Sequence, residues 1–167
     1  ERDVADVAAG IRHTAKEGWC DAGRVAVMGG SAGGMTALLV AARHPDLVHA
    51  VVALYPVTDL LDLAATTHRF ESGYHLRLVG PLPGARDRYV ERSPLTHAGQ
   101  VRAPVLCFHG DQDRSVRPEQ SAWFAARLGP ACERVLYPGE GHGWKRAETV
   151  LDELTRIEAF LTRWLPG

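Results

Sequence analysis

The chain is poor in the features that mark several classes of protein. It holds only 3 cysteines in 167 residues. Cys20, Cys107 and Cys132 are odd in number and scattered, which argues against a disulfide framework and fits reduced thiols. Cys107 lies within an apolar run and is expected to pack as a small hydrophobe. No His or Cys pair stands at ligand spacing, so no metal is expected. Neither charge sign forms a block: 19 Lys and Arg face 20 Asp and Glu, for a formal net charge of −1. A nucleic-acid or polyanion surface is therefore not expected. No apolar stretch approaches the roughly 20 residues that cross a bilayer, and Glu1-Arg2-Asp3 carries no signal-peptide pattern, so a cytoplasmic location without a membrane partner is expected. Internal repeats and low-complexity linkers are also missing, and residues 1–167 are expected to form one domain.

Helices and strands alternate along what is present. An amphipathic helix comes first, with Val4, Val7, Ala8 and Ile11 on one face. Strands are expected over Arg24 to Met28, Ala50 to Tyr55, Val105 to His109 and Arg134 to Tyr137. A turn-rich, helical excursion should occupy Asp59 to Gln100, and a helix with Pro118 in its first turn should follow the third strand. A closing amphipathic helix carries Val150, Leu151, Leu154, Ile157, Phe160, Leu161 and Trp164. Continuous apolar strands separated by helices imply a parallel sheet covered on both faces, an α/β fold.

The segment Val25-Ala26-Val27-Met28-Gly29-Gly30-Ser31-Ala32-Gly33-Gly34 runs from a strand through a Gly-x-Ser-x-Gly turn into a helix, which His44-Pro45 closes. Such an elbow strains the serine backbone and presents its hydroxyl as a nucleophile. The residues two places either side crowd together there, so Gly29 and Gly33 are both expected where a Cβ would clash. The helix that follows aims its free N–H groups at the corner, where charge develops on a reacting oxygen. A Walker loop would need a Lys before its Ser or Thr, and a dinucleotide fingerprint an acid at the end of the next strand. That strand ends in Tyr55-Pro56.

Loops at the carboxyl ends of parallel strands share one rim. Ser31 follows the first strand, Asp111 and Asp113 lie after the third, and His142 lies in Gly139-Glu140-Gly141-His142-Gly143 after the fourth. The order Ser, Asp, His is that of an α/β-hydrolase triad. In that chemistry His142 takes the proton of Ser31 as it attacks a carbonyl and returns it to the leaving group, while an aspartate holds the imidazole tautomer. Asp111 and Asp113 compete for that last role. A calcium loop fails, since Val116 stands where Gly is needed and Ala122 where Glu is needed. His109 ends a buried strand and is expected to brace the loop by a hydrogen bond.

Four stretches together resemble the catalytic domain of prolyl oligopeptidase-family serine peptidases: Gly29–Gly34, Tyr55-Pro56-Val57-Thr58-Asp59, His109 to Val116, and Gly139 to Gly143. Thr67-His68-Arg69-Phe70-Glu71-Ser72 and Leu78-Val79-Gly80-Pro81 make it most similar to the acylaminoacyl-peptidase and dipeptidyl-aminopeptidase branch. The resemblance implies Ser31, Asp113 and His142 as the catalytic residues, with the spacing from His109-Gly110 selecting Asp113 over Asp111. It implies the Ala32 N–H as an oxyanion-hole donor, and Gly30, Val57 and Leu60 at the substrate. The implied activity is hydrolysis of small peptides through an acyl-enzyme, without a cofactor. A carboxylesterase on the same residues, or an inactive assembly module lacking a complete oxyanion hole, are the alternatives.

Members of this family usually carry a β-propeller and further hydrolase strands ahead of the opening helix seen here. The chain is thus expected to be the C-terminal part of an α/β-hydrolase fold, with the strand ending at Met28 at an open edge. An apolar edge strand is a pairing hazard. The N-terminal part of a parent chain, or a partner chain, is expected to cover it and to supply the second oxyanion donor.

Overall fold

The structure is a computed structural model that describes residues 2–66, 77–165 and 167. Four parallel strands form one sheet in the order β1-β2-β3-β4, with β1 Ala26–Gly30, β2 Ala50–Leu54, β3 Val105–Gly110 and β4 Cys132–Tyr137. Apolar residues alternate between the two faces of each strand, and both faces are covered. Helices α1 Arg2–Lys16 and α2 Ala32–Arg43 pack on one face, together with the later helix Pro118–Leu128. There Val27, Val51, Ala53, Val105 and Cys107 meet Val4, Leu38, Ala41 and Phe124. On the other face Ala50, Val52, Leu106 and Phe108 meet Ile157 and Phe160 of the closing helix Ala147–Trp164. Leu38, Val40 and Phe108 are wholly buried, and each such side chain contributes about 1.5–3 kcal/mol.

The excursion after β2 holds helices α3 Leu60–Thr66, α4 Arg86–Glu91 and α5 Pro94–His97. The Pro118–Leu128 and Ala147–Trp164 helices are then α6 and α7. A third apolar cluster, with Val57, Leu60, Leu63, Val79, Tyr89 and Val116, fills the space beneath the excursion. Hydrogen bonds tie that segment to α6 through Gln120, which is fully buried. Its Oε1 accepts the N–H groups of Thr58 at 2.8 Å and Asp59 at 3.1 Å. Its Nε2 donates to the Asp59 carbonyl at 3.2 Å and to Asp62 Oδ2 at 2.9 Å. The stretch Thr67 to Ser72 lies outside the described residues.

Register sets the rim. Gly30 pairs with Leu54, Leu54 with Phe108 and Gly110 with Tyr137, so chain segments leave the sheet at nearly one level. The observed strands differ from expectation at their ends. β1 starts at Ala26 and takes in both Gly29 and Gly30, whereas β2 stops at Leu54 because Tyr55 turns to a φ of 37°. β4 begins at Cys132, two residues before the expected start.

Two helix faces are also corrected. Val7 of α1 is exposed while Val4 and Ala8 are buried. In α7 the buried residues are Thr149, Glu153, Ile157 and Phe160, while Val150, Leu151, Leu154 and Trp164 are exposed. Polar contacts turn that helix: Trp144 Nε1 donates to Glu153, and Tyr137 donates to Asp152 at 2.8 Å. Arg156, Ala159 and Arg163 sit against the β4 side. At 100° per residue, Val150, Leu154 and Leu161 then fall on the opposite flank, toward β1. Met28, on β1, is 63% exposed on that same face of the sheet.

Candidate active site

Ser31 occupies the corner between β1 and α2 with φ 55° and ψ −119°, a strained backbone for a residue with a Cβ. Neighbouring contacts hold it there. Its N–H donates to the Leu54 carbonyl at 2.9 Å, and its carbonyl accepts the N–H of Met35 at 3.1 Å. Crowding at the elbow is one-sided. A Cβ on Gly29 would lie 2.4 Å from the Gly33 carbonyl carbon and oxygen, whereas one on Gly33 would meet nothing within 4 Å. The second glycine that close packing demands is Gly34, whose Cβ would stand 2.9 Å from Pro56 Cβ. The expectation for Gly33 is corrected accordingly: β1 leans on its backbone, and its own side-chain position points to open space.

His142 reaches Ser31 from the loop after β4, with Nε2 2.9 Å from Oγ. Its Nδ1 lies 2.7 Å from Asp113 Oδ2. Asp113 is buried, and its Oδ1 accepts the N–H groups of Ser115 at 2.9 Å and Val116 at 3.0 Å. Burial pushes this carboxyl up, but hydrogen bonds from His109, His142 and Val116 outweigh it and hold the group well below the usual carboxylate range. Asp111 points elsewhere, accepting the Gly139 N–H at 2.7 Å. His109 braces the loop as expected, with Nε2 2.9 Å from the Val116 carbonyl.

The His142 loop is shaped by residues to which sequence reasoning gave no role. Glu140 is 1% exposed and folds the loop around its carboxylate. Oε2 accepts the Lys145 N–H at 2.9 Å, and Oε1 accepts the Arg146 N–H at 3.2 Å and its Nε–H at 3.0 Å. The Lys145 N–H is the largest cause that lowers its pKa to about 2, with Thr149 and Arg146 adding to it. Gly110 lets that loop cross β3, since a Cβ would lie 2.3 Å from the Glu140 carbonyl oxygen. The Tyr55 ring packs against the His142 ring at 4.7 Å, tilted by 58°, and is backed edge-on by Trp144 at 5.4 Å. Burial, then the charges of Glu153 and Asp113, push the Tyr55 hydroxyl pKa up. An acid between two glycines, and an aromatic ahead of Pro56 at a strand end, were the available signals.

Beside Ser31 opens a cavity of about 680 Å³, lined by Ala32, Gly33, Met35, Val57, Leu60 and Val79 among others. Val57 and Leu60 thus share one apolar wall of this cavity. Gly30 does not line it. It sits under Tyr55, whose ring would be 3.1 Å from a Cβ there. Ala32 opens α2, and the first N–H groups of a helix have no intrahelical acceptor. An imidazole between a buried carboxylate and a serine hydroxyl can take the hydroxyl proton while its cation stays paired.

The sequence matches the prolyl oligopeptidase family over residues 1–167. The chain belongs to the prolyl oligopeptidase family. It is 28% identical to a Caenorhabditis elegans protein named dipeptidyl peptidase family member 6, covering 97% of this chain and 23% of that one. It is 29% identical to the mouse acylamino-acid-releasing enzyme, over 96% of this chain and 23% of the enzyme. Among solved structures, a Mycobacterium tuberculosis puromycin-hydrolyzing peptidase superposes with a TM-score of 0.94 at 38% identity, covering 98% of this chain and 25% of that one. The fold is therefore the α/β-hydrolase fold of these peptidases, in its C-terminal part. The chain spans about a quarter of the length of the relatives it matches.

Proposed function

We propose that this family member is a serine peptidase acting on small peptides, of the aminopeptidase, dipeptidyl-peptidase or acylaminoacyl-peptidase type. Ser31 attacks the scissile carbonyl, His142 carries its proton to the leaving amine, and Asp113 holds the imidazole and pairs with its cation. The product of the first half-reaction is an acyl-enzyme on Ser31, which water hydrolyses. The Ala32 N–H faces the developing oxyanion. Val57 and Leu60 offer an apolar wall to the side chain next to the scissile bond. The observation that carries this reading is the unbroken line from Asp113 Oδ2 through His142 to Ser31 Oγ, at 2.7 and 2.9 Å.

Residues 1–167 act, in this reading, as one unit of a larger hydrolase domain. Among the described residues β1 is an edge strand, and Met28 on it is exposed. A strand from the parent chain, or from a partner, pairs with that edge and brings the second oxyanion donor. Losing one such donor typically costs on the order of a hundred- to a thousandfold in rate.

A fluorophosphonate probe tests the reading. It is expected to label the full-length protein and not its Ser31→Ala variant. Absence of labelling in the full-length protein would defeat the enzyme assignment and favour an assembly module. Comparing an aminoacyl-anilide with a short acyl ester then separates peptidase from carboxylesterase, since an esterase would turn over the ester alone.

A further inference from the structure

We infer that His109 is a second histidine on the carboxylate of Asp113, a positioning residue that moderates the hold of Asp113 on the His142 proton. The inference rests on the roles proposed above for Ser31, Asp113 and His142. His109 sits one residue before the end of β3 and is wholly buried. Its Nε2 faces two groups that can only accept, the Val116 carbonyl at 2.9 Å and Asp113 Oδ2 at 3.3 Å. Nε2 must therefore carry the hydrogen. Nδ1 is buried without a hydrogen-bond partner, so a proton added there would be a donor with nothing to accept it. His109 is thus a single, fixed donor.

That donor closes a ring of contacts. His109 holds the Val116 carbonyl, the Val116 N–H holds Asp113 Oδ1 at 3.0 Å, and Asp113 Oδ2 lies beside His109 again. Among the described residues only two imidazoles reach Oδ2, His142 at 2.7 Å and His109 at 3.3 Å. A side chain that only filled the space would not need an N–H at this position. Lowering the electron density on Oδ2 reduces its stabilisation of a protonated His142, so the base is free at lower pH. The other titratable groups facing the pair are accounted for. Tyr55, just past the end of β2, lies tilted against His142, and Asp111 is bound to the Gly139 N–H. Glu140 is paired with Arg146, Glu153 of α7 accepts from Trp144, and Arg117 ahead of α6 is paired with Asp62.

The test compares His109→Leu, which has no donor, with His109→Gln, which places an N–H four bonds out as Nε2 does. Two readouts are taken on the full-length protein: the rate of fluorophosphonate labelling against pH, and the NMR titration of the His142 ring. In the Leu variant Asp113 keeps the Ser115 and Val116 N–H groups on its Oδ1, and labelling on the acid limb is expected to slow about threefold. Its acid limb, and the His142 titration, are expected to move up by about half a pH unit. The Gln variant is expected to keep the wild-type midpoint and the wild-type rate. A merely structural role predicts the reverse shift, because a loosened Asp113 stabilises the His142 cation less. A midpoint in the Leu variant that stays or falls overturns the inference. Should that variant not fold, the wild-type His109 ring decides, since an Nδ1–H tautomer also overturns it. Failure of the wild type to label would defeat the proposed function, while the NMR readouts still judge His109.

Discussion

Replacing each elbow glycine by alanine separates what the structure says from what the motif says. As a motif, Gly-x-Ser-x-Gly treats its two outer glycines alike. In the structure a Cβ on Gly29 would be 2.4 Å from two backbone atoms of Gly33 and 3.0 Å from the Gly34 nitrogen, where ordinary contact begins at 3.4 Å. The first turn of α2 must therefore lift from β1 by about 1 Å, and no flexible side chain can absorb the movement. Overpacking of this kind costs about 1–3 kcal/mol. A displacement of that size also costs roughly 100-fold in rate when it reaches a reacting group, and Ser31 lies between the two elements. Gly33→Ala should behave in the opposite way. Its Cβ meets nothing, its position is helical, and alanine is better than glycine in a helix by about 0.5–1 kcal/mol. The two variants are expected to differ by about 1.5–4 kcal/mol, with Gly29→Ala the less stable. Urea unfolding of the full-length protein followed by tryptophan fluorescence measures the difference, and fluorophosphonate labelling measures the displacement. Equal losses for both variants, or a neutral Gly29→Ala, would refute the one-sided crowding.

Asp113→Asn is expected to keep the fold and lower the rate of acyl-enzyme formation by roughly 10⁴, because an amide favours the wrong His142 tautomer; single-turnover kinetics on an activated ester checks this. Gln120→Leu leaves the Thr58 and Asp59 N–H groups and the Asp62 carboxylate short of partners in a buried site. It should destabilise by about 3 kcal/mol in denaturant unfolding and weaken substrate binding through the Val57–Leu60 wall. Glu140 has a pKa lowered to about 2 when folded, against about 4.3 when unfolded. Its contribution is whole above the unfolded value and lost as pH falls toward 2. The stability gap between wild type and Glu140→Gln should accordingly be widest at neutral pH and close between about pH 4.5 and 2, which acid unfolding curves of both proteins will show.

Elements whose signal is local were legible. The order of strands and helices followed from apolar runs and caps, and Pro118 and His44-Pro45 marked helix ends that the structure keeps. The rim residues Ser31, Asp113 and His142 could be brought together on paper because parallel strands release their loops on one side. Groups whose role depends on a distant backbone were not legible in the same way. Gly110 is required by a carbonyl 30 positions along the chain, and Glu140 by N–H groups that reach it only once the loop has closed. Gly33 was over-read because the motif gives spacing without direction. Tyr55 opens the stretch Tyr55-Pro56-Val57-Thr58-Asp59, yet its contact with His142 depends on a positive φ that the sequence does not announce.

The miscast face of α7 follows a different logic. Val150, Leu151, Leu154, Ile157, Phe160, Leu161 and Trp164 form too wide an apolar arc for one sheet face to bury, and the structure divides it. Ile157 and Phe160 pack on β2 and β3, whereas Val150 and Leu154, at 41% and 57% exposure, flank the side on which Met28 is 63% exposed. A helix at a finished sheet edge carries polar residues on its outer flank, because exposed apolar area there invites association. An apolar flank on α7 and an apolar residue on the same face of β1 are independent in sequence, separated by more than a hundred residues, yet both lie toward one edge of the sheet. Both would be buried if, as proposed above, a strand of the parent chain or of a partner covers that edge. Among the described residues this edge strand, β1, runs directly into Ser31. A Met28→Lys substitution should therefore leave the cores on both sheet faces intact while weakening whatever pairs with β1. Loss of labelling at Ser31 in an otherwise folded full-length protein would link the edge to the chemistry, and unchanged labelling would sever that link.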